Sequence, residues 1–289
     1  MASAFAIPRV RSFHVFPFRF PAVICFLALL AARPGWGHGD LDEAITALDR
    51  EIASRPGDAV LHLRRGELHR KHGDRVEAAA DYDRAAALDP ALAVVDLARG
   101  ALELDAGRPE AAQRALDRFV RSKPDDAAGY VARGRLLRRQ TEPAAAAADF
   151  ARAVALSREP SAELYLESAE ALREAGRAGE AVAVLDQGTA RLGPLLTLAT
   201  MALDLEIALG RTDDALRRVD ALIAAAARKE GWLQRRGAVL EKAGRTAEAR
   251  AAYELARAAI AAVPEYRRAT EATRTLQTGI EAALRRLQP

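Results

Sequence analysis

Histidines are the residues with the clearest capacity for chemistry in this chain of 289 residues. All five histidines lie in its first quarter, and the four after residue 37 are His38, His62, His69 and His72. Neutral imidazoles are common ligands of zinc and copper. If the segments on either side of residues 55–58 form antiparallel helices, His38 comes close to His69 and His72. A metal site of these three histidines is one hypothesis; the alternative is that His62 and His69 pack inside a helical layer while His72 lies on the surface.

Motifs for catalysis are missing from the sequence. It contains no glycine-rich phosphate loop, no paired-histidine metalloprotease helix, no calcium-binding loop and no serine elbow. Its one cysteine, Cys25, lies near the start, so the rest of the chain has no thiol for a disulfide or a cysteine metal site. We therefore expect no catalytic residues, no enzymatic activity and no cofactor.

The first 37 residues have the pattern of a secretory signal peptide. They carry four arginines and no acidic residue, and the apolar run 21–32 is followed by the small residues Gly35 and Gly37. This run is shorter than the roughly 20 residues that a membrane-spanning helix needs. Because Ile24 precedes Cys25, the segment does not read as a lipoprotein signal. We predict cleavage near Gly37 and export to the periplasm or cell envelope of a bacterium, with retention as an anchor as the alternative.

The charge of the chain gives no reason to expect nucleic acid as a partner. Lys and Arg total 43 and Asp and Glu total 40, a net charge of +3. The four arginines before residue 38 account for the whole excess, and the remainder carries a net charge of −1. Binding to nucleic acid rests on neutralising phosphates, which a near-neutral chain does poorly. The same remainder holds no apolar run long enough to span a membrane.

A period of 34 residues runs through the chain after residue 38 and predicts the elements that position its side chains. An alanine recurs at Ala44, Ala78, Ala112, Ala146, Ala181, Ala215 and Ala249. Turn residues precede these by five positions, at Gly39, Gly73, Gly107, Thr141, Gly176, Gly210 and Gly244. Two further series keep the same step, one mostly small (Gly66, Gly100, Gly134, Ala169, Leu203, Gly237) and one bulky (Leu48, Tyr82, Leu116, Phe150, Leu185, Val219, Tyr253). The high alanine content and the low content of aromatic residues favour helices over strands.

This pattern resembles the tetratricopeptide repeat (TPR) family, most plainly at Gly66, Gly73, Ala78, Tyr82 and Pro90. The resemblance implies an all-α, right-handed solenoid of helix-turn-helix repeats. It places six repeats within 59–263, at 59–92, 93–126, 127–160, 162–195, 196–229 and 230–263. A partial repeat would occupy 38–58, after the signal peptide 1–37. The segment 264–289 would form one capping helix, with Tyr266, Ala269, Leu276, Ile280, Leu284 and Leu287 on its apolar face.

The first helices of the repeats are expected to line a concave surface for a protein or peptide partner. Residues that point into it recur at helical spacing and become acidic in the fourth repeat. The absence of asparagine argues against a clamp for chaperone carboxylates, which the family builds from asparagines and lysines. We therefore predict a non-enzymatic, exported scaffold that holds its partner with Val60, Leu63, Arg64, Glu67, Leu97, Ala101, Leu104, Val131, Arg135, Arg138, Arg139, Leu166, Glu170 and Arg173.

Overall fold

The computed structural model describes residues 38–288, and within this range the chain forms fifteen helices and no strand. The predicted signal peptide lies outside the described residues, as does the side chain of His38. The all-α solenoid expected from the repeat is confirmed. The first helices are α2 (Ala59–His72), α4 (Val94–Asp105), α6 (Ala127–Arg139), α8 (Ala162–Glu174), α10 (Leu196–Ala208) and α12 (Glu230–Lys242). The second helices are α1 (His38–Ser54), α3 (Arg75–Leu88), α5 (Pro109–Ser122), α7 (Pro143–Leu156), α9 (Ala178–Leu192), α11 (Thr212–Ala225) and α13 (Thr246–Ala261).

Left-handed backbone ends the first helix of each repeat. Gly73 has a φ of 102°, and its N–H donates to the carbonyl oxygen of His69. The same positive φ recurs at each later member of the predicted turn series, including the non-glycine Thr141. Glycine adopts this conformation without steric strain, which is why it dominates the series. Gly39 is the exception, because it lies inside α1 and makes no turn.

A matched pair of side chains sets how closely the two helices of a repeat approach. A Cβ atom on Gly66 would lie 2.6 Å from Cε1 of Tyr82, so the ring occupies the space that glycine leaves open. In the fifth repeat the sizes are exchanged, and the buried Leu203 stands opposite the position of the smaller Val219. Leu203, the large residue in the mostly small series, is thus accompanied by Val219, one of the smaller residues in the bulky series.

The repeats stack so that the first helices form the inner side of the curve. Each second helix packs against the first helix of its own repeat and that of the next. First helices of neighbouring repeats also contact each other directly, as α2 does with α4, α4 with α6 and α8 with α10. A layer of touching first helices under more widely spaced second helices curves toward the first-helix side.

Arginines brace the stack from one repeat to the next. Arg133 on α6 donates to Asp149 on α7 at 2.7 and 2.8 Å and to Asp117 on α5 at 2.9 Å. Arg65, at the corresponding position of the first full repeat, binds Asp81 and Asp49 in the same way. Each guanidinium therefore joins a first helix to the second helices on both sides.

The C-terminal segment departs from the prediction of one continuous helix. It forms a short helix α14 (Glu265–Arg268) and then α15 (Glu271–Arg286), which the side chain of Thr270 caps. This break removes Tyr266 from the predicted apolar face and leaves it 69% exposed. The second half does cap the solenoid, because Ile280 and Ala283 are buried in one cluster with Tyr253 and Ile260 of α13.

Candidate functional site

An apolar stripe runs along the inner face of the first four full repeats. It consists of Leu63, Leu97, Val131 and Leu166, one from each first helix at the same position of the repeat. Leu63 is buried, whereas the other three are half-buried and keep part of their surface open. Beside them, Val60 is 39% exposed, and Ala101 and Leu104 are half-buried. Such a stripe can bury apolar side chains of another polypeptide.

A buried polar network lies at one edge of this stripe in the first two full repeats. The hydroxyl of Tyr82 donates to Glu67 at 2.7 Å, and Arg70 donates to Glu67 and to Asp105 of the next repeat. Burial raises the pKa of Tyr82, and the Glu67 carboxylate raises it further. Glu67 and Arg70 therefore fix the inner face as well as lining it.

Two arginines predicted at the third repeat bind glutamates of the fourth repeat, one of which, Glu170, was also predicted. Arg135 donates to Glu167 at 2.8 Å and to Glu163 at 3.2 Å. Arg138 donates to Glu170 at 2.6 Å and to Glu174 at 2.8 Å. The guanidinium of Arg138 holds the pKa of Glu174 below its usual range. The change from basic to acidic side chains thus forms ion pairs between neighbouring repeats.

Two predicted arginines on this face, Arg139 and Arg173, are exposed and lie outside the ion pairs of Arg135 and Arg138. Arg139 is exposed, and its guanidinium makes no hydrogen bond or ion pair with the described residues. Arg173 is exposed and lies 4.0 Å from Glu174. Arg64 is half-buried beside the stripe. Arg139 is therefore the cleanest position at which to test a charge on the inner face.

The histidines have carboxylate neighbours that explain their positions without a metal ion. Nδ1 of His72 lies 2.8 Å from Oδ2 of Asp74, and Nδ1 of His69 lies 3.3 Å from the same oxygen. His62 is buried between Asp81 and the carbonyl oxygen of Pro56, as the packing alternative predicted. Among the side chains that the structure describes, residues 39–288, no group of three or more potential ligands is arranged to hold a metal ion. The site with His38 stays a prediction, since that side chain lies outside the described part.

A cleft on the outer side of the solenoid was not predicted. Its volume is about 710 Å³, and it lies between α9 and α11, with α10 as its floor. Apolar side chains make up most of its wall, among them Val182, Leu195, Leu222 and Trp232. The polar lining residues are Asp186, Thr189, Glu206, Arg211, Asp214, Arg217 and Arg218.

A single small residue in the sequence could have indicated this cleft. Ala199 lies in its wall and stands 34 residues after Tyr165, which is fully buried. The same position carries Tyr130 in the third repeat and His62 in the first. The fifth repeat therefore lacks the bulky side chain that these repeats place between successive second helices.

The family model for the tetratricopeptide repeat matches this chain at residues 29–93, 97–159 and 131–194. The chain belongs to the tetratricopeptide repeat family. The first of these matches begins inside the predicted signal peptide. No curated protein sequence gives a significant match.

Solved structures similar to this chain include proteins described as TPR proteins, all at low sequence identity. YrrB, described as a TPR protein with an unusual peptide-binding site, has a TM-score of 0.50 and 20% identity over 62% of this chain and 91% of that chain. The structure of Naa15/Naa10 bound to HypK-THB has a TM-score of 0.53 and 16% sequence identity, and the match covers 85% of this chain and 36% of that chain. A TPR protein from Parabacteroides merdae has a TM-score of 0.47 and 17% sequence identity, and the match covers 84% of this chain and 93% of that chain. No helix within 38–288 is long and apolar enough to cross a membrane.

TPR solenoids are protein-interaction scaffolds, and the geometry agrees with that class. The described residues form a stack of helices with an open inner face and an outer cleft, both accessible to another polypeptide.

Proposed function

We propose that this TPR protein is a non-enzymatic scaffold that captures a segment of a protein partner along its inner face. The observation that carries the proposal is the apolar stripe of Leu63, Leu97, Val131 and Leu166, of which the last three keep part of their surface open to solvent. An apolar stripe lined by helices suits a helix or an extended peptide that inserts alternate bulky side chains. The peptide-binding site named for YrrB supports this class of partner by analogy.

The ion pairs of the inner face limit how a partner is selected. Arg135 and Arg138 are already bound to glutamates of the fourth repeat, so a partner's charges would compete with existing pairs. Exposed charges such as Arg139 affect the association rate and orientation more than the affinity. Affinity should therefore come from the apolar stripe, with Arg139 and Arg173 guiding the approach.

Reversing the charge of all three arginines from 135 to 139 would be an ambiguous test, because it also breaks the pairs between repeats. A cleaner variant combines Val60→Glu with Arg139→Glu, two exposed inner positions. The matched control combines Val76→Glu on α3 with Arg114→Glu on α5, both exposed on second helices. Both double variants change the net charge equally.

The experiment is an affinity capture from bacterial envelope extract, using the wild-type chain and both double variants as bait. We expect one or more proteins to be retained by the wild type and by the outer-face control, and to be lost with the inner-face variant. Equal retention by all three baits would show that capture does not use the inner face. Matching melting curves would establish that both variants are folded.

We also propose that the chain is exported and that residues 1–37 are removed. Support comes from the four arginines, the short apolar run and the small residues of that segment. Fractionation of a bacterium that expresses the full chain should find the protein in the envelope or periplasm with His38 as its first residue. Recovery from the cytoplasm with residues 1–37 intact would contradict export.

A further inference from the structure

The outer cleft has the features of a second binding site, separate from the inner face. Its two walls are formed by α9, with Val182 and Thr189, and by α11, with Ala221 and Leu222. Its floor is formed by α10, with Ala199. Its volume of about 710 Å³ falls within the range of about 300–1,000 Å³ that is typical of ligand-binding pockets. No comparable space is left at Tyr165, whose ring is fully buried in the preceding repeat.

Two sequence changes shape the cleft together. Where the fourth repeat has Tyr165 packed against Gly188, the fifth has Ala199 and Leu222 at the corresponding positions. A Cβ atom on Gly188 would lie 2.8 Å from Cγ of Tyr165, so tyrosine there fills the wedge completely. Leu222 is half-buried and lines the cleft, leaving part of the wedge open.

The three arginines that line the cleft differ in whether a carboxylate pairs with them. Arg218 binds Glu206 at 2.6 Å and Asp186 at 2.9 Å, and Arg217 binds Asp214. Arg211 lines the same cleft and, within the described part of the chain, has no hydrogen bond or ion pair from its guanidinium. One cationic group thus remains available at the end of the cleft where α11 begins.

The opposite end of the cleft is apolar. Leu195, Leu196, Ala226 and Trp232 lie there, beside the end of α11. The lining residues of α11 extend from Asp214 to Ala225, which is about 16 Å at 1.5 Å per residue. The cleft therefore suits an occupant of some three helical turns, acidic at one end and apolar at the other.

We infer that this cleft docks a short amphipathic helix of a partner protein. The occupant would place a bulky apolar side chain beside Ala199 and an Asp or Glu beside Arg211. A helix fits better than an extended strand, because most of the cleft is formed by helices, which offer no free backbone edge for strand pairing. Charge complementarity with Arg211 fixes the direction in which the helix lies.

The test uses a library of random twelve-residue peptides displayed on phage and selected on the full-length protein. Ala221→Glu places a bulky charge in the wall of the cleft, on an exposed helical surface that can accept it. Ala224→Glu is the matched control, because Ala224 is exposed on the same helix but does not line the cleft. The two variants have the same net charge, so long-range attraction is equal.

We expect enriched peptides that combine bulky apolar residues with an acidic end. Their affinity, measured by fluorescence anisotropy of the labelled peptide, should fall at least about tenfold with Ala221→Glu and remain unchanged with Ala224→Glu. Arg211→Ala should weaken binding by roughly two- to fivefold, as expected for an exposed ion pair. The inner-face variant Val60→Glu with Arg139→Glu should bind these peptides like the wild type.

Several outcomes would overturn the inference. Enriched peptides that bind Ala221→Glu as tightly as wild type would place their site elsewhere, and sensitivity to Val60→Glu with Arg139→Glu would place it on the inner face. Failure to enrich any peptide would show that the cleft has no affinity for this class. Self-association that Ala221→Glu abolishes, measured by sedimentation, would identify a second copy as the occupant instead.

Discussion

At the scale of single residues, arginines decide how firmly the repeats hold together. Arg133 reaches Asp149, which is 7% exposed, and Asp117 on the preceding second helix. A carboxylate so buried is tolerated because its charge is paired and hydrogen-bonded. The ion pairs of Arg133 with Asp149 and Asp117 therefore stabilise the fold, whereas many exposed ion pairs elsewhere on the surface contribute little to stability.

Replacing Arg133 by methionine should lower the free energy of unfolding by about 3 kcal/mol, because it leaves the buried Asp149 without a partner. The added change Asp149→Ala should restore most of this loss, since alanine stands at the corresponding position as Ala115 and Ala252. Denaturant unfolding measures both effects. Arg114→Met, at an exposed position, should stay within about 0.5 kcal/mol of wild type; an equal effect at both arginines would contradict the brace.

The pair of His72 and Asp74 predicts a specific pH dependence. The hydrogen bond to Asp74 raises the pKa of His72, and those from His72 and His69 lower the pKa of Asp74. The His72 contribution to stability is complete below its ordinary pKa of about 6.5 and is lost as the pH rises through the folded value. The Asp74 contribution is present above about pH 3.9 and is lost as the pH falls through the folded value.

Together these shifts place the largest contribution of the pair between about pH 4 and 6.5. Asp74→Asn should lower the pKa of His72 toward its ordinary value, which an NMR titration of the imidazole can follow. A His72 pKa that is the same in both proteins would contradict the assigned hydrogen bond. Addition of zinc or copper to the wild type during the same titration tests the metal site predicted with His38.

At the scale of the helices, the distance between partners is set by glycine and a large ring. Tyr82 is fully buried, and its hydroxyl is held by Glu67, so the ring has little freedom to move aside. The same arrangement recurs at Gly237 and Tyr253, where the hydroxyl binds Glu241. In both repeats the tyrosine that packs against the glycine is also held by a hydrogen bond from its hydroxyl to a glutamate.

Gly66→Ala should destabilise the protein by about 1–3 kcal/mol, because the added Cβ would lie 2.6 Å from the anchored ring of Tyr82. Gly279→Ala is the matched control, since nothing lies within 4 Å of a Cβ there and alanine favours the helix by roughly 0.5–1 kcal/mol. Thermal unfolding should therefore move in opposite directions for the two variants. A stabilising effect of Gly66→Ala would show that the ring can shift freely.

The helices could be predicted because their signals are local and repeated. The glycines of the turns, the alanines of the second helices and the 34-residue step each report a contact that every repeat makes. The break at Thr270 was missed because the cap occurs once, so no second copy reveals its pattern. The sequence shows basic residues in the third repeat and acidic ones in the fourth, but the pairing of Arg135 and Arg138 with those glutamates depends on the distance between neighbouring first helices, which the repeat pattern does not give.

The outer cleft shows a different limit of the sequence. Ala199 stands in the aligned series with Tyr130 and Tyr165, yet an alanine in an alanine-rich chain draws no attention. Its consequence depends on Leu222 as well, because the side chain there decides how much of the space is refilled. Ala199 therefore indicates where a gap lies, whereas the size of the cleft depends on several positions together and does not follow from one series.

At the scale of the whole molecule, stability should spread from neighbour to neighbour. Ile280 of α15 is fully buried against the last repeat, and contacts within a solenoid join only adjacent units. Ile280→Ala should destabilise the protein by about 2–4 kcal/mol. Hydrogen exchange should accelerate most in α12 and α13 and least in α2 and α3. Thr275→Ala, at an exposed position of α15, is the control; uniform acceleration along the chain would contradict nearest-neighbour coupling.

The most direct test of the central claim, capture along the inner face, is photo-crosslinking of the partner from chosen positions. A photoreactive phenylalanine is placed at Val60 or Arg139 on the inner face, and at Val76 or Arg114 on the outer second helices. We predict that the protein retained from envelope extract crosslinks to the first two positions and not to the other two. Crosslinks only from Val76 or Arg114 would contradict the account.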